Sequence, residues 1–208
     1  KVDKTVALAK YGKVDISNIS VVITVMSWNQ DQVKIEAVKY SEASSLEKAK
    51  ENAAKVTIEV VPEGNILRIE TKYPKSVKFW GGDSVDVSVE YKLWIPEKAA
   101  LKAINVSGDI TAEAIGGAAA LKAVSGGIRL NKAAAGADCN SVSGGVEVAD
   151  VTGNAFLKSV SGDVKASRVK GSVEAETVSG EVDLLDVSDA PTVRVKALSG
   201  GVVYRGVI

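Results

Sequence analysis

The sequence predicts an all-β fold, a parallel β-solenoid in which each coil of about 18 residues contributes two short strands. Three observations predict it. A short motif recurs at a fixed interval, apolar and polar residues alternate between its copies, and charges 18 residues apart alternate in sign. The regular coils are expected over residues 101–208, and residues 1–100 are expected to form irregular β coils and a cap continuous with them.

The repeated motif is an apolar residue followed by Ser-Gly. Its first five copies start 18 residues apart, and the sixth follows after 20. A serine hydroxyl can hydrogen-bond local backbone and a glycine permits tight turns, so the motif predicts a structural corner. The predicted turn ladder consists of Ser107, Gly108, Ser125, Gly126, Ser143, Gly144, Ser161, Gly162, Ser179, Gly180, Ser199 and Gly200.

The unit from Gly162 to Gly180 divides into two halves with one apolar pattern, which predicts two strands and two turns. Its predicted inward residues are Val164, Ala166, Val169, Val173, Ala175 and Val178. The same template turns the motif's apolar residue inward in the other coils, at Val124, Val142, Val160 and Leu198. Frequent alanine opposite valine or leucine predicts a thin core between closely packed sheets.

Charged residues supply the predicted register. If coils stack about 4.8 Å apart, residues one repeat apart lie side by side, and opposite charges there are favourable. Three rows alternate in sign: Arg129, Glu147, Lys165 and Asp183; Lys132, Asp150, Arg168 and Asp186; and Lys158, Glu176 and Lys196.

Residues 1–100 lack the motif but remain rich in predicted strands, over 14–26, 33–40, 56–61, 66–73 and 85–95. A turn at 62–65 separates the third from the fourth, and Pro96 closes the last. One helix is expected over 45–54, with Ser44 and Glu47 as a capping box.

Composition narrows the function classes. The 208 residues include 26 basic and 26 acidic ones, whereas nucleic-acid-binding surfaces normally carry a basic excess, so no nucleic-acid partner is expected. The absence of histidine removes the commonest general base and transition-metal ligand. No apolar run approaches the ~20 residues that span a bilayer, so no transmembrane segment is predicted.

The residues that could act as nucleophiles or metal ligands also indicate a structural role. Without a histidine to activate them, six serines at one corner indicate turn structure rather than nucleophiles. Calcium-binding β-rolls need recurring carboxylates, and after the motif glycine these fall on adjacent coils only at Asp163 and Glu181. No catalytic residue, metal or cofactor is therefore predicted. A carbohydrate-active enzyme, which would need clustered groove carboxylates, stays as an alternative.

Three aromatic residues are the candidate contacts for a partner. Phe79 and Trp80 stand beside two glycines, where they could stack on a sugar, anchor a protein or fold back onto the solenoid. Phe156 is predicted to point outward between acidic positions of neighbouring coils. Cys139 takes an inward alanine position, which predicts a buried, inert thiol.

The segments SWNQDQV (27–33) and VEYKLWIP (89–96), followed by the VSGD and VSGG motifs, resemble the bacterial putative-adhesin repeat proteins, a family built on a domain of unknown function. The resemblance covers most of the chain. It implies a single-stranded, right-handed parallel β-helix or roll and an extracytoplasmic or envelope-associated location. It supplies no catalytic residue. The chain departs from the family at Ser20-Val21, where an Asn-Gly type of turn is frequent.

The function predicted is a non-enzymatic, envelope-associated or secreted scaffold that binds an unidentified protein or glycan. Since the sequence begins at Lys1 rather than at methionine, removal of a secretory leader is expected. A third hypothesis is structural self-assembly, in which the open terminal coil at 200–208 joins copies into a homo-oligomer.

Overall fold

The computed structural model describes residues 1–74, 86–187 and 190–206. In those ranges the chain forms nineteen strands and one ten-residue helix, and the predicted all-β class is confirmed. The elements are β1 (Val2–Ala7), β2 (Lys13–Ser20), β3 (Ile23–Trp28), β4 (Gln32–Ser41), α1 (Leu46–Lys55), β5 (Thr57–Glu63), β6 (Ile66–Lys72), β7 (Val87–Pro96), β8 (Ala100–Ser107), β9 (Ile110–Ile115), β10 (Ala119–Ala123), β11 (Ile128–Ala133), β12 (Ala137–Ser141), β13 (Val146–Val151), β14 (Ala155–Ser161), β15 (Val164–Val169), β16 (Val173–Ser179), β17 (Val182–Leu185), β18 (Val193–Ser199) and β19 (Val202–Arg205).

Two sheets face each other. The ten-stranded sheet runs β1-β4-β7-β3-β9-β11-β13-β15-β17-β19, and the nine-stranded sheet runs β18-β16-β14-β12-β10-β8-β2-β6-β5. From β8 onward the chain alternates between the sheets, and every pairing there is parallel. Val146 pairs with Val164, one repeat further along, whereas the final turn pairs Val182 with Val202 because it holds two extra residues.

The first hundred residues join the repeat through hydrogen bonds in both sheets. Strand β2 pairs in parallel with β8, and β3 pairs in parallel with β9, so β2 and β3 continue the stack. Strands β6 and β7 add one more parallel pairing to each sheet, with β2 and β3 respectively. Beyond them the pairing becomes antiparallel, between β5 and β6, β4 and β7, and β1 and β4. The antiparallel strands cover sheet edges that the first parallel coil would otherwise expose.

Two details differ from the sequence-based expectations for this half. The predicted strand 14–26 is two strands, because Val21 adopts a left-handed φ of 67° and turns the chain. The amide of Asn105 supports that turn by donating a 2.6 Å hydrogen bond to the Val21 carbonyl oxygen. The helix N-cap is Ser45, whose Oγ accepts from the Lys48 amide, so Ser44 and Glu47 do not form a capping box.

The turn between β5 and β6 is also shorter than predicted. Glu63 pairs with Ile66, which leaves Gly64 and Asn65 as a two-residue hairpin loop. Gly64 has a φ of +60°, as such tight loops require. Pro62 lies inside β5, an edge strand, where the proline's missing N–H leaves no ladder bond unmade.

The regular coils are asymmetric, which overturns the predicted two equal halves. In the first strand of each coil a non-glycine residue with φ between 52° and 60° lets two successive residues point outward before an inward one. These left-handed positions are Ala114, Lys132, Asp150, Arg168 and Asp186. The second strand alternates without interruption, as at Val173, Ala175 and Thr177, all buried. The motif's apolar residue therefore points outward, and the inward placement predicted for Val124, Val142, Val160, Val178 and Leu198 is wrong.

The predicted charge register is confirmed. Arg129 pairs with Glu147, Glu147 with Lys165, and Lys165 with Asp183 on successive strands. The row from Lys158 to Lys196 is likewise in register. The ion pairs between neighbouring rungs include Arg129–Glu147 at 3.1 Å, Lys158–Glu176 at 2.9 Å and Arg168–Asp150 at 2.7 Å.

Candidate functional site

The corner that carries the motif is held together by close backbone stacking. A Cβ built on Gly126 would lie 2.2 Å from the carbonyl oxygen of Gly108, and one on Gly144 would lie 2.2 Å from that of Gly126. Neither glycine has a positive φ, so glycine is needed for closeness between coils rather than for an unusual turn. Neighbouring coils could not stack in this register with a larger residue.

The hydroxyl groups at this corner divide into two sets. The motif serines are exposed, and no side-chain hydrogen bond from them is seen in the described part of the chain. In three coils the residue two positions before the motif serine is buried, and its hydroxyl donates to the carbonyl oxygen of the motif glycine in the preceding coil. These donors are Ser141 at 2.8 Å, Ser159 at 2.9 Å and Thr177 at 2.9 Å.

The outward motif residues form a continuous row on the nine-stranded sheet. Register and amide hydrogen bonds place them side by side, on or directly after consecutive strands from β8 to β18, and Ile19 of β2 extends the row beside Val106. At about 4.8 Å per strand, seven side chains span about 29 Å. Their exposed fractions run from 38% at Val160 to 75% at Leu198. We call this row the aliphatic stripe: Ile19, Val106, Val124, Val142, Val160, Val178 and Leu198.

Polar residues flank the stripe on the same outer face. The adjacent row contains three lysines, Lys122, Lys158 and Lys196, and one acid, Glu176. The next row contains Phe156, which is 49% exposed and pairs with acidic positions on both sides. Phe156 thus points outward as the sequence predicts, but it stands two rows away from the stripe.

The ten-stranded sheet carries a cleft of about 450 Å³ across four coils. Its ends are Asp109 and Asp163, and Gly127 and Gly145 lie between them. The charged outer residues of the same coils form its wall: Arg129, Glu147 and Lys165. The cleft offers both hydrogen-bond donors and acceptors. The carboxylates accept, the cationic side chains donate, and the backbone can do either.

Other predicted site residues lie apart from these surfaces. Phe79 and Trp80 fall outside the described residues. Cys139 is fully buried, and burial raises the pKa of its thiol. Over 1–74, 86–187 and 190–206 there is no group of three or more acidic or cysteine side chains that could hold a metal ion. In those ranges no helix has the length and apolarity to cross a membrane.

The last described strands, β18 and β19, present a third surface. Val193 of β18 is 39% exposed although it continues an inward row, because no further described strand lies on it. In β19, Val202 and Tyr204 are exposed as well. The exposure follows from the position of these strands at the last edges of both sheets.

Comparison with known proteins identifies the family. Solved structures similar to this chain include a putative cell adhesion protein from Clostridium sporogenes ATCC 15579, with 12% identity, 98% of both chains covered and a TM-score of 0.46. A putative adhesin from Bacteroides fragilis NCTC 9343 shows 11% identity, covers 99% of this chain and 96% of its own, and has a TM-score of 0.47.

A putative lipid binding protein from Parabacteroides distasonis ATCC 8503 has 11% identity, coverage of 97% and 96%, and a TM-score of 0.33. Comparison with curated proteins gives no match. The family model described as Toastrack DUF4097 matches residues 11–203. The chain belongs to this Toastrack family. The Toastrack match runs through both halves of the chain, so the irregular N-terminal coils are part of the family's domain.

Surface carboxylates of the Toastrack coils are engaged by neighbouring coils. A hydrogen bond from Arg168 lowers the pKa of Asp150, and one from Lys158 lowers the pKa of Glu176. The Asp109 carboxylate accepts from the Gly127 amide.

Sequence reasoning missed the aliphatic stripe, although a signal for it was present. The residue before the motif's apolar residue is always small in the later coils: Ala123, Ser141, Ser159, Thr177 and Ala197.

Proposed function

We propose that this protein is a non-enzymatic binding scaffold, and that the aliphatic stripe is the surface on which a protein partner docks. The observation that carries the proposal is the continuity of the stripe. Single exposed apolar residues are common on soluble proteins, whereas contiguous apolar patches mark interaction sites. Seven exposed aliphatic side chains in a row lower the solubility of a protein. A partner that covers them would offset this cost.

The chemistry of the stripe favours a protein partner over a sugar. Its members are valine, isoleucine and leucine, which bury well against other apolar side chains, and none of them is an aromatic ring on which a sugar could stack. The row beside it has a net positive charge, with three lysines against one acid, and Lys122 and Lys196 stand outside the described ion pairs. The partner that fits presents an apolar segment edged with acidic residues, because complementary charge steers and aligns association.

Site-specific photo-crosslinking tests this proposal in the producing cells. A photoreactive residue at Val142 or at Val160 should crosslink the same partner protein, whereas the matched position Ser167, on the outer face of the other sheet, should not. The purified partner should then bind the wild-type protein, and Val142→Glu should weaken that binding at least tenfold. Ser167→Glu is the control variant and should leave the affinity unchanged.

Several outcomes would contradict the proposal. Equal crosslinking from Ser167, or unchanged affinity after Val142→Glu, would remove the stripe as the docking surface. A crosslinked product of twice the chain's mass would show instead that a second copy occupies the stripe. Turnover of any substrate in a polysaccharide panel, lost on changing a surface carboxylate, would contradict the non-enzymatic part and favour a carbohydrate-active enzyme.

An extracytoplasmic location, envelope-associated or secreted, belongs to the proposal. The sequence resemblance to the putative-adhesin repeat proteins supports this location. Cell fractionation tests it separately from the stripe. Native protein found only in the cytoplasmic fraction would overturn the location and leave the docking surface open to its own test.

A further inference from the structure

The cleft on the ten-stranded sheet contains backbone N–H groups that the fold leaves open. Elsewhere in the solenoid, an acidic or amide side chain accepts from the amide one coil further on. Asp109 Oδ1 accepts from the Gly127 amide at 2.7 Å, and Asp163 Oδ1 accepts from the Glu181 amide at 2.9 Å. At the opposite corner, Asn154 Oδ1 accepts from the Ser172 amide at 3.0 Å in the same way.

Between Asp109 and Asp163 this pattern is interrupted twice. Gly127 has no side chain to accept from the Gly145 amide, and Gly145 has none to accept from the Asp163 amide. Within the described coils neither of these two amides donates to any protein acceptor. The cleft therefore holds two adjacent open donors, about 4.8 Å apart because they belong to neighbouring coils.

The two glycines that open the cleft are not needed by the fold. A Cβ on Gly127 would lie 3.5 Å from its nearest neighbour and one on Gly145 3.4 Å, both ordinary contacts. Neither has a positive φ. The preceding residues, Gly126 and Gly144, contrast with them, since a Cβ there would overlap the backbone of the preceding coil. Side chains are thus missing where the stacking would accept them.

The charges around the two open amides favour a neutral hydroxyl group over an anion as the ligand. An anion would sit between the Asp109 and Asp163 carboxylates with Glu147 close by, so like charges would oppose it. A hydroxyl group avoids this conflict, because its oxygen accepts from an amide while its proton is donated to a carboxylate. Arg129 and Lys165 in the wall can donate to further oxygens.

We propose that the cleft binds a neutral saccharide chain, whose hydroxyl oxygens accept hydrogen bonds from the amides of Gly145 and Asp163. In that complex the sugar oxygens take the place that the Asp109 carboxylate takes one coil earlier. This site lies on the opposite sheet from the aliphatic stripe and takes a different class of ligand. The two proposals therefore stand or fall separately.

Amide-resolved NMR tests the proposal with defined probes. The ¹⁵N-labelled protein is titrated with three neutral hexasaccharides, cellohexaose, mannohexaose and maltohexaose, and with hexagalacturonate as the acidic probe. At least one neutral hexasaccharide should shift the Gly145 and Asp163 amides saturably. The amides of Gly127 and Glu181 serve as internal references, because the protein's own carboxylates already occupy them, and they should move less.

Two variants separate filling of the cleft from disturbance of the fold. Gly145→Asp supplies an internal acceptor for the Asp163 amide, and it should reduce the affinity for the neutral hexasaccharide at least tenfold. Ser167→Asp places the same acidic side chain on the ten-stranded sheet outside the cleft, leaves both amides open and should keep the affinity within about twofold. Val142→Glu, on the stripe, should also leave saccharide binding intact.

The contrary results are equally defined. Absence of saturable shifts at Gly145 and Asp163 with all three neutral probes would overturn the proposal. Tighter binding of hexagalacturonate than of every neutral probe would overturn the choice of a neutral ligand. Unchanged affinity in a folded Gly145→Asp variant would show that the sugar binds elsewhere on the protein.

Discussion

The hydroxyl of Ser159 donates a 2.9 Å hydrogen bond to the carbonyl oxygen of Gly144, the motif glycine of the preceding coil. Because both groups lie at a stacked corner, the bond joins two coils rather than closing a local turn. Ser159→Ala should lower the free energy of unfolding by about 1 kcal/mol. Urea denaturation followed by circular dichroism measures the change.

The same row offers the reverse substitution as a control. Ala123 occupies the equivalent inward position one coil before Ser141, and it has no hydroxyl to donate to Gly108. Ala123→Ser should therefore raise stability, by up to about 1 kcal/mol. Equal destabilisation by Ser159→Ala and Ala123→Ser would show that the row responds to side-chain volume and not to hydrogen bonding.

The two glycines that follow Ser125 should respond oppositely to alanine. Gly126→Ala places a methyl group 2.2 Å from the Gly108 carbonyl oxygen, so the coils must separate, at a cost of at least ~2 kcal/mol. Gly127→Ala meets nothing closer than 3.5 Å and should be neutral or stabilising by up to about 1 kcal/mol, through the unfolded chain's lower entropy. Thermal melts of the pair measure the contrast, and similar melting temperatures would refute it.

The left-handed positions should accept glycine with a gain in stability. Ala114 has a φ of 60° and an exposed side chain, so its Cβ is strained without a compensating contact. Ala114→Gly should stabilise by about 0.5–1 kcal/mol, the relief of strain exceeding the added entropy of the unfolded chain. Ala149→Gly, in the regular part of β13, should destabilise instead. A loss of stability at both positions would contradict this account.

The pair of Asp150 and Arg168 should make stability depend on pH. A hydrogen bond from Arg168 holds the pKa of the Asp150 carboxyl below its usual range. A depressed folded-state pKa contributes stability that is present above the unfolded value of about 3.9 and is lost as the pH falls through the folded value. The melting-temperature gap between wild type and Asp150→Asn should therefore be widest near neutral pH and should narrow below about pH 4. In an Arg168→Gln background the gap should vary much less, and a gap independent of pH in the native background would exclude the pair.

The thiol of Cys139 should be silent in the folded protein. Burial raises its pKa, so the reactive thiolate is scarce as well as inaccessible. A disulfide reagent at pH 8 should modify it only after denaturant unfolds the chain. Ser143→Cys, at the exposed corner, supplies a thiol that should react at once. Native Cys139 reacting as fast as this control would indicate opening of the core.

The repeat, the two sheets and the charge register could be predicted because each leaves a periodic trace in the sequence. Arg129, Glu147 and Lys165 sit one repeat apart, and parallel stacking is the arrangement that places alternating charges together. The orientation of the motif's valines could not be predicted by hydrophobicity. Val160 is more apolar than Ser159, yet Ser159 points inward, where its hydroxyl donates a hydrogen bond to a carbonyl oxygen of another coil.

The left-handed backbone positions of the coils could not be predicted from the sequence either. Lys132, Asp150 and Arg168 adopt left-handed φ values, which glycine usually occupies, although none of the three is a glycine. The cleft escaped prediction as well. Gly126 and Gly127 are indistinguishable in the sequence, and only the stacked backbone shows that one is required and the other is free.

The aliphatic stripe gains one rung with every coil, since each copy of the motif contributes one outward apolar side chain. A tandem duplication of a single repeat in the gene would lengthen the contact area by one step of about 4.8 Å while leaving every existing joint unchanged. The length of the stripe can thus change in steps of one coil, without any change in the N-terminal strands that cap the stack. The number of repeats in the gene therefore determines how long a partner segment the surface can contact.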